Sequence, residues 1–160
     1  MMRPPSFHLG LISDTHGLLR PEAARALHGC DHIVHAGDIG GPAILDALRG
    51  IAPLTAVRGN NDHGPWAEAL QDTECMLLGG VAVGVIHDLA HLDRHPALAG
   101  VRVVVCGHSH RPAAHDHDGV LVVNPGSAGR RRFSLPIAVA RLEIAAGTLR
   151  THIIELAVMP

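Results

Sequence analysis

Short apolar runs that each end in glycine, aspartate, asparagine or histidine are the feature of this 160-residue sequence that most constrains its fold. In the first half, strand-length runs alternate with helical segments that begin at proline and are followed by glycine, as helix ends favour. A strand–helix–strand–helix–strand order predicts a parallel sheet with crossover helices. The strands are predicted at residues 7–13, 31–36 and 54–57, and the helices at 21–27 and 42–48.

The second half is predicted to consist mainly of strands joined by tight turns that contain glycine. Together the two halves predict one α/β domain over residues 1–160, with two packed sheets and helices outside them. The second-half strands are predicted at 74–78, 81–86, 101–106, 115–118, 120–123, 136–144 and 148–156.

Composition and charge exclude several classes of protein. With 47% apolar and 18% charged residues, the chain is too apolar to be disordered. A net charge of −2 gives no electrostatic footprint for duplex nucleic acid, and the two phenylalanines and one tryptophan are too few for a base-stacking surface. No apolar run approaches the roughly 18 residues that span a bilayer, and the N-terminus has no apolar signal core. We therefore expect a cytoplasmic protein without a membrane partner.

The cysteines support the same compartment. Cys30, Cys75 and Cys106 are odd in number and lie far apart, without the spacing of a thiolate zinc site. They predict buried free thiols in a reducing environment.

Polar residues follow five of the predicted strands, at the edge where open α/β sheets bind ligands. Each motif alone is weak, because aspartate, asparagine and glycine also form ordinary turns. The Gly-His-Ser-His segment is more specific, because alternation after a buried strand directs both imidazoles to one side. The candidate residues are Asp14, His16, Asp38, Asn60, His87, His108 and His110.

These side chains form a donor set for divalent metal ions. Carboxylate, amide and imidazole donors without thiolate suit Mn, Fe, Zn or Ni. Seven ligands are too many for one tetrahedral ion but fit two ions that share a carboxylate, the arrangement used for phosphoryl displacement. We expect two divalent metal ions, with Mn favoured and Zn, Ni, Fe or Mg as alternatives.

In chain order, the motifs Asp-x-His, Gly-Asp, Gly-Asn, His and Gly-His-x-His resemble the calcineurin-like metallophosphoesterases. The spacing, the small size and the later Asn124-Pro125-Gly126-Ser127 segment look most like the compact YfcE-type phosphodiesterases. The resemblance implies an α/β fold, a four-layer α/β/β/α sandwich of two mixed sheets. It also implies a dinuclear metal site whose bound hydroxide attacks phosphorus.

The resemblance assigns the ligands by position. The first metal would be held by Asp14, His16 and His110. The second would be held by Asn60, His87 and His108, with Asp38 bridging both ions. Asn60 would also serve catalysis.

One departure leaves the proton donor for the leaving group unassigned. Phosphatase-type members carry a histidine at the position that is Asn61 here. His63 is a candidate general acid and His91 a second, and both could equally be exposed loop residues. Asp62 would orient a neighbouring ligand or form a turn, and Asp88 would support a ligand histidine or belong only to its loop.

Several further features have open interpretations. Asn124 could support a ligand histidine, but a structural role is favoured. Arg130, Arg131 and Arg132 could bind a second substrate phosphate, although a solvated loop is favoured. Trp66 could be a wall for a nucleobase, but a role as a loop anchor is favoured. The loops at 64–72 and 88–99 are expected to form the substrate pocket. His28, His32, His35, His95 and His152 have no evident role, and His115 and His117 are expected to point outward.

The favoured function is hydrolysis of a small phosphodiester or nucleotide-like substrate. A phosphomonoesterase or pyrophosphohydrolase would use the same site. The fold could instead serve as a protein-interaction scaffold, like the retromer subunit of this family, or the chain could be a histidine-rich metal buffer. A homo-oligomer is an open alternative, and the native metal and substrate are not readable from the sequence.

Overall fold

The computed structural model describes residues 5–158. The first four residues, which belong to the segment where the sequence predicts no signal peptide, lie outside this range. Its helices are α1 (Pro21–Ala26), α2 (Pro42–Arg49) and α3 (Pro65–Glu68), and two 3₁₀ helices span Leu89–Arg94 and Pro96–Leu98. Its strands are β1 (Ser6–Ile12), β2 (His32–His35), β3 (Leu54–Ala56), β4 (Thr73–Leu78), β5 (Val81–Ile86), β6 (Val103–Val105), β7 (Ala113–His117), β8 (Val120–Asn124), β9 (Ala138–Ala145) and β10 (Thr148–Glu155).

The strands form two mixed five-stranded sheets, as predicted. The first has the order β10-β9-β1-β2-β3, in which β1, β2 and β3 are parallel and β9 runs antiparallel to β1. The second has the order β4-β5-β6-β8-β7, with a parallel centre and antiparallel edges. The parallel strands of each sheet therefore end at a common edge.

The main core lies between the two sheets. Leu9 and Leu11 of β1 face Val83 and Val85 of β5 within one cluster of fully buried side chains. Because alternate residues of a strand point to opposite faces, the other residues of these strands face the outer layers.

The two outer layers differ in kind. Helices α1 and α2 cover the first sheet, where Leu27 and Leu48 pack with Ile33. On the second sheet the covering layer is 3₁₀-helical, and Leu98 packs with Val104. The pocket-forming loop expected at 88–99 is thus largely 3₁₀ helix.

Other expectations were met in part. Trp66 packs beside the outer cluster of the first sheet, as expected of a loop anchor. Strand β6 is shorter than the predicted 101–106. Along residues 5–158, no helix has the length and apolarity to cross a bilayer.

The prediction of three buried thiols is wrong at Cys75, which is exposed. Strand β4 is an edge strand whose alternate residues, Cys75 and Leu77, face solvent. Cys30 and Cys106 are buried, and burial raises the pKa of the Cys106 thiol to about 12.

Candidate metal centre

The predicted ligands meet where the parallel strands of both sheets end. Asp14, Asp38 and Asn60 follow β1, β2 and β3 of the first sheet, and the ligand histidines at 87, 108 and 110 follow β5 and β6 of the second. The site is therefore assembled from both sheets.

Backbone strain is concentrated at these residues. Eight described non-glycine residues have a positive φ, and five of them are predicted ligands. A left-handed conformation costs of order 1–3 kcal/mol at each such residue and persists where the surroundings impose it, often at functional sites. The five are Asp14 at 55°, His16 at 47°, Asp38 at 55°, His108 at 70° and His110 at 63°.

The first ligand group is compact. One ligand atom from each of Asp14, His16 and His110 lies within 4.8 Å of the others. Oδ1 of Asp14 is 3.3 Å from Nε2 of His110 and 3.8 Å from Nε2 of His16.

The second group adjoins the first through Asp38. Its Oδ2 is 3.3 Å from Nε2 of His87 and 3.7 Å from Nε2 of His16, so this oxygen lies between the two groups. The His87 and His108 ring centroids are 5.2 Å apart, and Nδ1 of His108 is 3.2 Å from Oδ1 of Asn60. The structure thus brings all seven predicted residues together.

Within residues 5–158, four buried side-chain nitrogen and oxygen atoms in this cluster have no hydrogen-bond partner: Asp14 Oδ1, His16 Nε2, His87 Nε2 and His110 Nδ1. Unpaired buried polar atoms are rare because each loses its interaction with water. Converging nitrogen and oxygen atoms with free lone pairs are the donors that divalent metals require, so the residues fit a metal site.

The tautomer of His87 supports the same conclusion. Its Nδ1 is 2.8 Å from the carbonyl of Ala36, to which it donates a hydrogen. Its Nε2 lone pair is therefore directed into the cluster, an arrangement typical of a ligating histidine.

Protonation equilibria reflect the crowding of charge. Burial opposes ionisation of Asp14, but the adjacent His110 imidazole and a hydrogen bond from the Ser13 hydroxyl outweigh it, and the pKa of Asp14 is lowered. Burial also opposes ionisation of Asp38, yet His87 and Asn61 hold its pKa well below the usual value. Burial disfavours the charged form of His87, whereas Asp38 and Asp14 raise its pKa overall. Both carboxylates are therefore charged at neutral pH.

Sequence comparison then decides the family. The sequence model of the Calcineurin-like phosphoesterase superfamily domain matches residues 7–147. The chain belongs to the calcineurin-like phosphoesterase superfamily. The family and the curated metallophosphoesterase relatives indicate a metal-binding hydrolase that acts on phosphoesters, and the ligand cluster described above lies within the matched range.

Three proteins show the extent of the likeness. A probable metallophosphoesterase of Methanocaldococcus jannaschii is 34% identical over 132 residues, which cover 74% of this chain and 67% of that protein. An archaeal phosphodiesterase structure has a TM-score of 0.73 at 20% identity, with 92% of this chain and 100% of that chain covered. Vacuolar protein sorting 29 of Cryptosporidium parvum has a TM-score of 0.75 at 16% identity, with 94% and 98% covered. At these identities the two structures show the shared fold.

In this calcineurin-like domain, Asp62 connects two ligand loops. Its buried carboxylate accepts hydrogen bonds from the backbone amides of Ile39, Gly40 and Gly59, at 2.9–3.2 Å. The loop that carries Asp38 is thereby held against the loop that carries Asn60.

Asn61 contacts the central carboxylate directly. Its backbone amide donates to Oδ1 of Asp38 at 2.9 Å, and its side-chain amide donates to Oδ2 at 3.0 Å. The sequence marked Asn61 only as a departure from the phosphatase pattern, and no local signal indicated this contact.

His35 corrects a second expectation, because it is not a residue without a role. It is fully buried, its Nδ1 accepts a hydrogen bond from the amide of Gly37, and its Nε2 is 3.0 Å from Oγ1 of Thr15. Thr15 Oγ1 in turn donates to the carbonyl of Ile39. This chain of hydrogen bonds links the two loops that carry Asp14 and Asp38.

The remaining candidates support the histidine loops. Oδ2 of Asp88 is 3.7 Å from Nε2 of His108 and 3.8 Å from Nε2 of His91. Asn124 donates to the carbonyl of Gly107 and to Ser109, so it holds the loop backbone and not a ligand imidazole.

A cleft of about 860 Å³ opens beside Asn60, His87 and His108. Both loops predicted to form the pocket line it, and His63 and His91 lie on its wall and are exposed. His95, for which the sequence suggested no role, lies there too.

Proposed function

We propose that this chain is a dinuclear metal-dependent phosphodiesterase that acts on small diesters in the cytoplasm. The observation that carries the proposal is the position of Asp38 Oδ2 between two groups of unpaired buried donor atoms. One carboxylate oxygen with ligand histidines on either side suits two ions rather than one. The cytoplasmic location is supported by the three free cysteines, because thiols stay reduced in a reducing compartment.

The proposed division of the ligands between two ions is the one that the family resemblance implies. Asp14, His16 and His110 would hold one ion. His87, His108 and Asn60 would hold the other, and Asp38 would contribute to both. Manganese is the favoured metal, and zinc, nickel, iron and magnesium suit the same nitrogen and oxygen donors.

When bound, such ions lower the pKa of a water molecule and neutralise charge on the phosphoryl oxygens. Hydrolysis of a diester would add the oxygen of one water to phosphorus and break one P–O ester bond, so the leaving oxygen would need a proton. The cleft provides His63 and His91 as imidazoles from which that proton can come. Asn60 contributes a neutral amide, which keeps the site positive enough to attract phosphate.

The diester is favoured over the monoester for a local reason. Asn61 stands where phosphatase-type members carry a histidine, and its amide is engaged with Asp38. A monoester carries one more negative charge than a diester and gains more from an imidazolium at that position. The fold shared with an archaeal phosphodiesterase agrees with this preference.

The test compares two substrates after metal removal and readdition. Purified protein would be treated with chelator, resupplied with Mn, Ni or Zn, and assayed on bis-p-nitrophenyl phosphate and p-nitrophenyl phosphate. We expect chelation to abolish activity and metal to restore a higher kcat/KM for the diester. A preference for the monoester would contradict the diesterase assignment. Protein that neither binds metal nor hydrolyses either compound would instead favour the scaffold.

A further inference from the structure

An exposed basic loop follows the last motif of the site. We call residues 130–134 the arginine arm; it consists of Arg130, Arg131, Arg132, Phe133 and Ser134, and all five residues are exposed. Both of its ends are anchored. The amide of Ala128 donates to the carbonyl of Ser13 before the arm, and Ser127 pairs with Ile137 across it.

The base of the arm lies against the backbone of the first ligand loop. Gly129 packs on the carbonyl groups of Asp14 and Thr15 so closely that a Cβ at Gly129 would collide with Thr15. The guanidinium of Arg20 fixes Gly129 further, since its Nε donates to the Gly129 carbonyl at 2.9 Å. Ser127 Oγ also donates to the carbonyl of Asp14 at 3.0 Å. The base of the arm therefore lies beside the loop that carries Asp14 and His16.

The charges of the arm are uncompensated. Throughout residues 5–158, no carboxylate pairs with Arg130, Arg131 or Arg132, whereas Arg58 pairs with Asp72 at 2.7 Å. Three adjacent guanidinium groups attract anions, and their planar forks match phosphate oxygens. The charge is local, because the whole chain carries a net charge of −2.

Phe133 is the second unusual feature of the arm. It is 92% exposed and has a φ of 53°, although bulky side chains rarely adopt this conformation. Among the described residues 5–158 the ring is left almost wholly to solvent, so its burial does not compensate for the strained backbone. An aromatic ring beside guanidinium groups is the pairing with which proteins stack a base and hold the flanking phosphates of a single strand.

We infer that the arginine arm binds a nucleic-acid single strand whose neighbouring phosphodiester reaches the metal centre, so that the substrate class is short oligonucleotides. This inference rests on the proposed function. Three aromatic residues in the whole chain cannot form an extended base-stacking surface, but the single ring of Phe133 can stack one base, and the three arginines can contact two or three phosphates. An acidic peptide would match the charge but would not offer a planar ring beside each anion.

The first experiment compares kcat/KM for an oligothymidylate of about eight nucleotides, within the length range of single-strand sites, with kcat/KM for bis-p-nitrophenyl phosphate. The triple variant Arg130→Ser/Arg131→Ser/Arg132→Ser and the single variant Phe133→Ala should each lower the ratio of the two values by about tenfold. Arg150→Ser and Leu77→Ala, which alter an exposed arginine and an exposed apolar side chain elsewhere, should leave the ratio unchanged.

The second experiment measures binding without turnover. Fluorescence anisotropy of the labelled oligothymidylate should show weaker binding by the triple variant, and the slope of log Kd against log salt should fall by about 2. Unchanged affinity and an unchanged ratio would overturn the inference. The inference would also be overturned if the triple variant bound phosphatidylserine vesicles more weakly than the unaltered protein but bound the oligothymidylate equally well. Failure to hydrolyse the small diester would contradict the proposed function, and the anisotropy result would still decide the role of the arm.

Discussion

At the residue scale, Asp38 is the side chain that lies between the two ligand groups. Substitution Asp38→Asn keeps its shape but removes the charge that opposes repulsion between two cations. We expect metal affinity to fall at least about tenfold and diesterase activity to be lost, as measured by elemental analysis and by assay. Asp46→Asn, on the exposed side of α2, is the matched control. Undiminished metal in the Asp38 variant would favour a histidine-rich metal buffer.

His35 allows a test of pH dependence at the same scale. Burial lowers its folded-state pKa from 6.5 to about 3. Between these two pKa values the unfolded chain binds a proton at His35 and the folded chain does not. The contribution of His35 to stability is therefore complete above pH 6.5 and declines as the pH falls toward 3. Between pH 7 and pH 5 the contribution of His35 to the free energy of unfolding should fall by about 2 kcal/mol. His87, whose pKa is raised in the folded chain, contributes in the opposite direction, so the effect of His35 is read from the difference between the two proteins compared below. The lowered pKa values of Asp14 and Asp38 affect stability below pH 5, because the pKa of these carboxyl groups in the unfolded chain is 3.8.

The measurement is urea unfolding of chelator-treated protein at several pH values, with the variant His35→Asn. The variant should be less stable at pH 7, because its side chain cannot reproduce both hydrogen bonds of the ring, and its stability should decline less between pH 7 and pH 5. Parallel curves for the two proteins would show that the imidazole of His35 does not carry the effect.

At the element scale, the loops after β2 and β3 must approach each other closely. A Cβ on Gly59 would collide with the backbone amide and carboxylate of Asp38. We expect Gly59→Ala to cost about 1–3 kcal/mol in stability and to weaken metal binding, as shown by thermal unfolding and metal titration. Gly41→Ala is the control, because within the described part of the chain no atom beyond Gly41 and its two chain neighbours lies within 4 Å of the added Cβ. Equal behaviour of the two variants would contradict this account.

The same elements show how far the sequence alone could predict the molecule. The succession of strands along the chain and the strand-end placement of Asp14, Asp38 and His87 followed from local apolar runs and their polar ends, and the structure agrees. The order of the strands within each sheet did not follow from them. Contacts such as Asn61 with Asp38, or His35 with Thr15, join loops that are distant in sequence, so local patterns do not contain them. Cys75 was misplaced for a related reason, because exposure depends on which strand lies at the sheet edge.

At the scale of the whole molecule, the ligand cluster joins the two sheets. Asp14 and Asp38 extend from the first sheet and His87 and His110 from the second, and each sheet contributes unpaired buried donor atoms. Metal bound to both sets would satisfy atoms that are otherwise desolvated. Because the unfolded chain cannot present such a site, metal binding should stabilise the folded state as a whole.

This linkage predicts a metal-dependent melting temperature. With free Mn at about a hundred times its Kd, each site should add about 2.7 kcal/mol, which corresponds to a rise in Tm of roughly 5–10 °C for a chain of this size. Calorimetry of chelated and metal-loaded protein measures the shift. In Asp38→Asn the shift should shrink, because the carboxylate shared by the two sheets is gone, whereas Asp46→Asn should retain it. A shift of equal size in both variants would mean that the metal binds elsewhere, and the proposed centre would then not be what couples the two sheets.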